Sequence, residues 1–164
     1  NARVVTSDFI VFNTSKMKVV KLERENLFLK MINFQTSFTP SNIFIEKKLF
    51  EESGGFDENL STSADWDFGC RLSLLTHVHH IPSPLFVYYM HPHQMHRNIK
   101  LMERDMIYAF NKLRQYTPPY LQKYLPSGEK KLYRILAASY IKDAKDLRNG
   151  IKFLLKYALY FLKK

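Results

Sequence analysis

The spacing of apolar residues changes once along this chain of 164 residues, near residue 98. Before that point, short runs rich in Val, Ile and Phe are separated by turn residues, which is typical of β-strands. After it, apolar residues recur at intervals of three and four, which is typical of amphipathic helices. The pattern predicts a mixed α/β domain over residues 1–98, followed by a helical extension over residues 99–164.

The charge of the chain changes at the same place. The formal net charge is +10, and residues 1–98 hold equal numbers of basic and acidic side chains. The whole excess therefore lies in residues 99–164, where fifteen Lys or Arg face five Asp or Glu. A basic segment of this kind favours an anionic membrane surface or a nucleic acid as partner, but only the extension needs one.

Turn and breaker residues divide the first segment into short elements. Residues 13–16 are expected to form the turn of a hairpin, Gly54 and Gly55 to end a helix, and Pro82-Ser83-Pro84 to separate two strands. The predicted strands cover residues 3–13 (with or without a break at 7–8), 17–22, 43–45, 78–81 and 85–90. The predicted helices cover residues 23–31, 46–53, 63–76, 101–116, 129–147 and 151–162.

The start of the chain has neither an initiator Met nor a signal peptide, and it enters an apolar run almost at once. We therefore expect a piece of a longer protein whose upstream elements lie elsewhere. The apolar stretches are too short, and too interrupted by Lys and Arg, to predict a transmembrane helix. The single cysteine, Cys70, excludes an internal disulfide and fits a reducing compartment.

Four motifs follow one another between residues 41 and 92. An apolar strand and a helix lead to Gly-Gly-Phe-Asp at residues 54–57, and Ala-Asp-Trp-Asp-Phe follows at residues 64–68. A proline-interrupted strand pair then leads to Tyr-x-x-His-Pro at residues 88–92. In this order and spacing the motifs resemble those of family 2 glycosyltransferases, which have the Rossmann-like GT-A fold. The resemblance covers residues 1–98 and implies the C-terminal, acceptor-side part of a GT-A domain, followed here by an α-helical tail.

The resemblance also implies a function. Family members transfer a sugar from a nucleotide-sugar donor to a glycan or lipid-linked acceptor, and we expect transfer with inversion in cell-surface polysaccharide or lipopolysaccharide synthesis. A divalent metal, Mg or Mn, is implied as cofactor, with its main ligand upstream of Asn1. The implied location is the cytoplasm, at the inner face of the plasma membrane in a bacterium.

Asp65 is the residue to which the resemblance assigns the catalytic base. Deprotonating an acceptor hydroxyl needs one carboxylate within hydrogen-bond reach, and an ordinary Asp is ionised at neutral pH. The alternative is structural, because Thr62-x-x-Asp65 matches a helix capping box. The family commonly has a second acid where this chain has Ala64, which removes a carboxylate from beside the base.

Six further residues are expected to contact substrate by the same resemblance. Four of them have a structural alternative: the two glycines stop a helix, Asp57 is a surface charge, and Trp66 belongs to the core rather than to a sugar platform. Asp67 is expected to support the helix start rather than bind metal, and Arg71 to pair with a nearby acid or to cap a structural element. The expected substrate contacts are Ser41, Asn42, Gly54, Gly55, Asp57 and Trp66.

All six histidines lie between residues 77 and 96. Without a Cys partner or a helical His-Glu-x-x-His arrangement, they do not predict a zinc site. His91 is the exception, because it matches the His of the Tyr-x-x-His-Pro turn. The resemblance implies that it contacts the metal or the diphosphate, and the alternative is a solvated loop histidine.

The last helix carries an apolar face that includes Ile151, Leu154, Leu155 and Leu162, with lysines and aromatic residues at the other positions. Such a helix either lies in a membrane interface or packs on the preceding domain with a solvated basic face. A rival function for the whole chain is a non-catalytic basic module that binds membranes or nucleic acid. Nucleic acid is the weaker partner, because the basic residues are not joined to a recognisable RNA-binding motif.

Overall fold

The computed structural model describes residues 2–13, 16–21, 25–36, 38–91 and 98–162. The expectations that concern Pro92, His93 and His96 lie outside the described residues, as do those for residues 22–24 and for the last two lysines. Within the described part, a mixed α/β segment is followed by a helical segment, so the predicted fold class is confirmed.

A four-stranded mixed sheet organises the first segment. Its strands are β1 (Val4–Asn13), β2 (Lys16–Val20), β3 (Ile43–Ile45) and β4 (His79–Tyr89). β1 is the central strand and pairs antiparallel with β2 and with β3. It also pairs with β4, but in parallel. The predicted hairpin is confirmed, since Asn13 lies opposite Lys16 across its turn.

The expected break at Pro82-Ser83-Pro84 is wrong, because β4 continues through both prolines. Proline has no N–H to donate and is tolerated in a sheet at an edge or a bulge. β4 pairs with β1 alone among the described strands, and its register shifts on both sides of Asp8. Bulges absorb the prolines, so the two predicted strands form one.

Short helices connect the strands and carry the motifs. They are α1 (Leu27–Ile32), α2 (Lys47–Glu52) and α3 (Ala64–Leu75), with a 3-10 turn at Pro40–Asn42. The prediction that the helix runs through Asn26 is wrong, because Asn26 takes the left-handed conformation at φ 52° and α1 begins at Leu27. The helix stop is confirmed at Gly54 and Gly55, whose φ angles are 77° and 60°.

Four helices make up the second segment: α4 (Ile99–Tyr116), α5 (Pro119–Gln122), α6 (Leu125–Lys142) and α7 (Leu147–Leu162). Asn98 caps α4, since its side-chain oxygen accepts a hydrogen bond of 3.1 Å from the N–H of Leu101. The short α5 was not predicted, and α6 starts four residues before its expected position because Pro126 is accommodated in its first turn. No helix in the described part of the chain is long and apolar enough to cross a membrane.

The core joins the two segments. α3 packs against α1 and α4, and α6 packs against α4 and α1. At Gly128 in α6, an added Cβ would meet the carbonyl oxygen of Ile32 at 2.5 Å, so the backbone of α6 lies directly on the end of α1. The core therefore draws side chains from both sides of residue 98. The division into domains at that residue stays a prediction.

Candidate active site

A cavity of about 790 Å³ lies where β1 and β4 approach their C-terminal ends. Because the two strands are parallel, these ends lie at the same edge of the sheet, and the start of α3 closes the cavity from another side. Six of the sixteen residues that line it are aromatic, and six others are polar. The aromatic residues are Phe9, Phe38, Phe56, Phe86, Tyr88 and Tyr89, and the polar ones are Thr39, Ser41, Ser61, Thr62, Asp65 and His91.

Asp65 occupies the first turn of α3 and lines this cavity. Its Oδ1 accepts a hydrogen bond of 2.8 Å from the backbone N–H of Trp66, which orients the carboxylate. Burial raises the pKa of Asp65 above its usual range, although the hydrogen bonds from the backbone oppose the rise. A carboxylate with a raised pKa is a stronger proton acceptor than an exposed one.

The capping box expected as the alternative for Asp65 is not formed. In a capping box the Thr62 N–H would donate to Asp65, but it donates to Asp105 of α4 at 2.7 Å. The Thr62 hydroxyl also donates to Asp105, at 3.2 Å, and the N-cap of α3 is Ser63. Asp65 therefore does not cap its own helix through a capping box.

The buried carboxylate of Asp105 holds the loop that leads into α3. It accepts hydrogen bonds from the backbone N–H groups of Ser61 and Thr62 and from the guanidinium of Arg104. Burial by itself would raise the pKa of Asp105, but these hydrogen bonds outweigh it and the pKa is lowered. Asp105 therefore positions two residues of the cavity wall without lining the cavity itself.

Ser41 and Asn42 are neighbours in sequence but differ in position. Ser41 is exposed and lines the cavity. Asn42 is buried, and its amide bonds to Ser7 of β1: Nδ2 donates to the Ser7 carbonyl at 2.6 Å, and Oδ1 accepts from the Ser7 hydroxyl at 2.6 Å. Asn42 thus fixes the turn that presents Ser41, and it does not line the cavity.

The Gly54-Gly55 turn is held by Arg71. The Arg71 guanidinium donates to the carbonyl oxygens of Ser53 and Gly55 and, at 2.7 Å, to the carboxylate of Asp67. Asp67 is fully buried, so this ion pair is shielded from water. The expectation that Arg71 pairs with a nearby acid is confirmed, and Phe56 is the residue of this loop that reaches the cavity.

Asp57 forms an ion pair with Lys112 of α4, with its Oδ2 at 2.6 Å from Nζ. Hydrogen bonding by Lys112 is the main cause that lowers the pKa of Asp57 to about 2, and Asn59 adds to it. Lys112 also reaches Asp67 at 3.2 Å. Asp57 therefore ties its loop to α3 and α4, and it is not part of the cavity wall.

Trp66 belongs to the core. Its ring stacks on Phe34 and on Phe110, with centroids 5.2 and 6.0 Å away, and its Nε1 donates to the carbonyl oxygen of Met31 at 2.9 Å. Only 8% of the residue is exposed. The structure favours the core alternative over a sugar-facing platform.

A comparison with known protein families identifies one that fits this geometry. The model of the family described as glycosyltransferase like family 2 matches residues 6–121, well over half of the chain. The chain belongs to glycosyltransferase-like family 2. The match begins in β1 and ends in α5, so it includes the whole cavity wall. The comparison with curated proteins found no match, and that with solved structures found none either.

Membership of this glycosyltransferase family gives the cavity a chemical context. The substrates of this family are a nucleotide-sugar donor and an acceptor. The fold is that of a partial GT-A domain with a helical C-terminal region. The cavity brings together three of the residues expected from the sequence, Asp65, Ser41 and His91, and leaves the other expected contacts in supporting positions.

A divalent metal, which this glycosyltransferase family leads us to expect, is not held by the described residues alone. Among them no three His, Cys, Asp or Glu side chains are grouped as metal ligands. His91 lies exposed at the cavity wall, and His80 bonds through Nε2 to the Asp8 carboxylate at 2.7 Å. Of the histidines that the structure describes, His91 alone lines the cavity.

Two features of the site were not predicted from the sequence. Asp105 looked like one polar residue in a helical pattern, and nothing near it in sequence marks its contact with Thr62. The aromatic wall was missed because Phe9, Phe86 and Tyr88 read as ordinary strand residues. Their alternation along β1 and β4 was a usable signal, since residues two apart on a strand share a face.

Proposed function

We propose that the chain contributes the acceptor side of an inverting glycosyltransferase site, with Asp65 as the catalytic base. The observation that carries this proposal is the position of Asp65: an oriented, partly buried carboxylate of raised pKa in the wall of the cavity. No other carboxylate of the described residues lines that cavity.

The proposed chemistry is simple. The Asp65 carboxylate accepts the proton of an acceptor hydroxyl while that oxygen attacks the anomeric carbon of the donor sugar from the face opposite the leaving diphosphate. The sugar is transferred with inversion, and the nucleoside diphosphate leaves. Burial supports this role because a base whose pKa is shifted towards the working pH transfers protons more efficiently.

The proposed acceptor is a glycan or lipid-linked sugar used in cell-surface polysaccharide or lipopolysaccharide synthesis. An aromatic wall suits such an acceptor, because the apolar faces of sugar rings and the adjoining chain pack on aromatic side chains. Phe86, Tyr88 and Tyr89 provide that surface beside Asp65. We place the reaction in the cytoplasm of a bacterium, at the inner face of the plasma membrane.

The proposal includes a divalent metal, Mg or Mn, whose main ligands come from outside this chain. When bound, such an ion offsets the charge of the leaving diphosphate. His91 is the residue proposed to approach the ion or the diphosphate, since it lies at the cavity wall two residues after the end of β4.

The Asp65→Asn variant of the full-length enzyme tests the assignment. It keeps the oxygen that accepts from Trp66 and removes the base, so we expect the rate of transfer to fall by about 10²–10⁴-fold. The rate is measured as nucleoside diphosphate released from a panel of UDP- and GDP-sugars in the presence of lipid and glycan extracts. Glu58→Gln is the matched control, because Glu58 is exposed and lies outside the cavity wall. Near-normal turnover by a folded Asp65→Asn variant contradicts the proposal.

A further inference from the structure

One face of α7 is apolar and exposed along the whole helix. We call it the α7 stripe: Leu147, Ile151, Leu154, Leu155, Leu159 and Leu162, whose exposed fractions lie between 43% and 78%. These residues recur at helical intervals of three and four, so they share one side of the helix. Exposed apolar residues are normal singly, but a continuous row of this kind marks an interaction surface.

The stripe is exposed because α7 packs on α6 through its opposite face. Phe153 is completely buried and stacks on Tyr140 of α6, with centroids 5.9 Å apart. At Gly150, an added Cβ would meet the side chain of Ile141 at 2.4 Å, so the two helices are in close contact there. Packing on α6 therefore accounts for one face of α7 and leaves the stripe pointing away.

Basic residues border the stripe on both sides. Arg148 and Lys152 follow one border, although Lys152 also bonds to Glu103 at 3.3 Å. Lys156 is half-buried, with its Nζ 5.3 Å from the ring centroids of Tyr133 and Phe153. On the other border, Lys130 of α6 lies 3.5 Å from the centroid of the Phe161 ring. Residues 147–162 contain no Asp or Glu. The surface thus combines an apolar row with flanking positive charge and an interfacial aromatic residue.

We infer that the α7 stripe binds the surface of an anionic lipid bilayer, with α7 lying in the plane of the interface. The leucine side chains enter the boundary between head groups and acyl chains, and the flanking cations meet the negatively charged head groups. The inference rests on the proposed function only for its location at a membrane. It does not depend on the chemistry assigned to Asp65.

Charge decides between a bilayer and a second copy of the chain. If two α7 helices met along their stripes, the exposed Arg148 of each copy would approach the flanking cations of the other, and residues 147–162 hold no acid to pair with it. Like charges brought together in this way oppose docking. An anionic bilayer complements both the apolar row and its borders.

The test uses the full-length protein and phosphatidylcholine vesicles with or without phosphatidylglycerol, in a co-sedimentation assay. We expect binding to the vesicles that contain phosphatidylglycerol and little to those without it. The double variant Ile151→Asp/Leu155→Asp places two negative charges in the stripe, and we expect its binding to be at least about tenfold weaker. Met17→Asp/Phe44→Asp is the matched control, because both residues are exposed apolar side chains on the sheet, 67% and 74% exposed.

Each other outcome overturns the inference. The inference fails if the wild-type protein does not bind the vesicles, if the stripe variant binds as well as the wild type, or if the sheet variant is weakened as much as the stripe variant. It also fails if sedimentation shows a dimer that the stripe variant abolishes while vesicle binding is unchanged. Circular dichroism checks that all variants fold. Asp65→Asn is expected to bind vesicles like the wild type, so failure of the lipid inference and failure of the proposed catalytic role are distinguished.

Discussion

The Asp105 carboxylate accepts a hydrogen bond of 2.7 Å from the backbone N–H of Thr62, three residues before the candidate base. The two residues lie 43 positions apart in sequence, and Asp105 is completely buried. Through this contact α4 determines where the loop before α3 lies. The geometry at Asp65 therefore depends on a helix of the C-terminal segment.

Replacing Asp105 by Asn is expected to loosen this loop. An amide accepts fewer hydrogen bonds than a carboxylate and would turn an NH₂ group towards the N–H groups of Ser61 and Thr62. We expect the free energy of unfolding to fall by about 1–3 kcal/mol, measured by urea denaturation. Asp143→Asn, at an exposed position, is the control and should change it by less than about 0.5 kcal/mol. Equal effects of the two substitutions contradict the positioning role.

Arg71→Lys tests the anchor of the glycine turn. Lysine keeps the charge but lacks the planar fork that reaches Asp67, Ser53 and Gly55 together. Because Asp67 is fully buried, losing part of this network is expected to cost about 2–4 kcal/mol of unfolding free energy. Arg134→Lys on the exposed face of α6 is the matched substitution. The expectation fails if both variants keep the wild-type urea midpoint.

The contribution of the Asp57–Lys112 pair to the stability of the fold is expected to depend on pH. The pKa of Asp57 is lowered from its model-peptide value of 3.8 to about 2 in the folded chain. A lowered pKa stabilises the fold above the unfolded value, and this stabilisation is lost as pH falls through the folded value. Asp57→Asn should therefore melt below the wild type near neutral pH, and the gap should narrow between about pH 4 and pH 2. Glu58→Gln, on the exposed neighbour, should show no such convergence.

At Asp65 the ionised carboxylate is expected to lower the stability of the fold rather than raise it. Burial raises the pKa of this carboxyl, so its ionised form is less favoured in the folded chain than in the unfolded one. The resulting loss of unfolding free energy is present near neutral pH and disappears as pH falls below the pKa of Asp65 in the unfolded chain. Asp65→Asn should therefore keep or raise the melting temperature near pH 7 while it removes transfer activity, as is common for active-site residues. A large loss of stability would show instead that the carboxylate has a structural role.

The pH dependence of the reaction follows from the same shift. A base must be unprotonated to accept a proton, so kcat/KM should fall on the acid side as pH passes through the raised pKa of Asp65. We expect the midpoint of this limb to lie above the value of about 3.9 found for an ordinary Asp. A rate profile that is flat down to that value contradicts the assignment of Asp65 as the base.

The sequence by itself determined the local features. The hairpin at Asn13 and Lys16, the stop at Gly54 and Gly55, and the start of α3 beside Asp65 all follow from turn chemistry and apolar spacing over a few residues. The order of the motifs was enough to indicate the family. These features are readable because each depends on backbone preferences of neighbouring residues.

Only the tertiary structure decided the rest. Whether Pro82 and Pro84 break a strand depends on where β4 lies in the sheet, and β4 passes through them by bulging against β1. Asn42, Asp57 and Trp66 are tied to Ser7, Lys112 and Met31, all between 35 and 55 residues away in the sequence. Such contacts leave no local period in the sequence, because each is set by how separate elements pack. That packing also leaves one face of α7 uncovered and turns the Asp65 carboxylate towards the cavity.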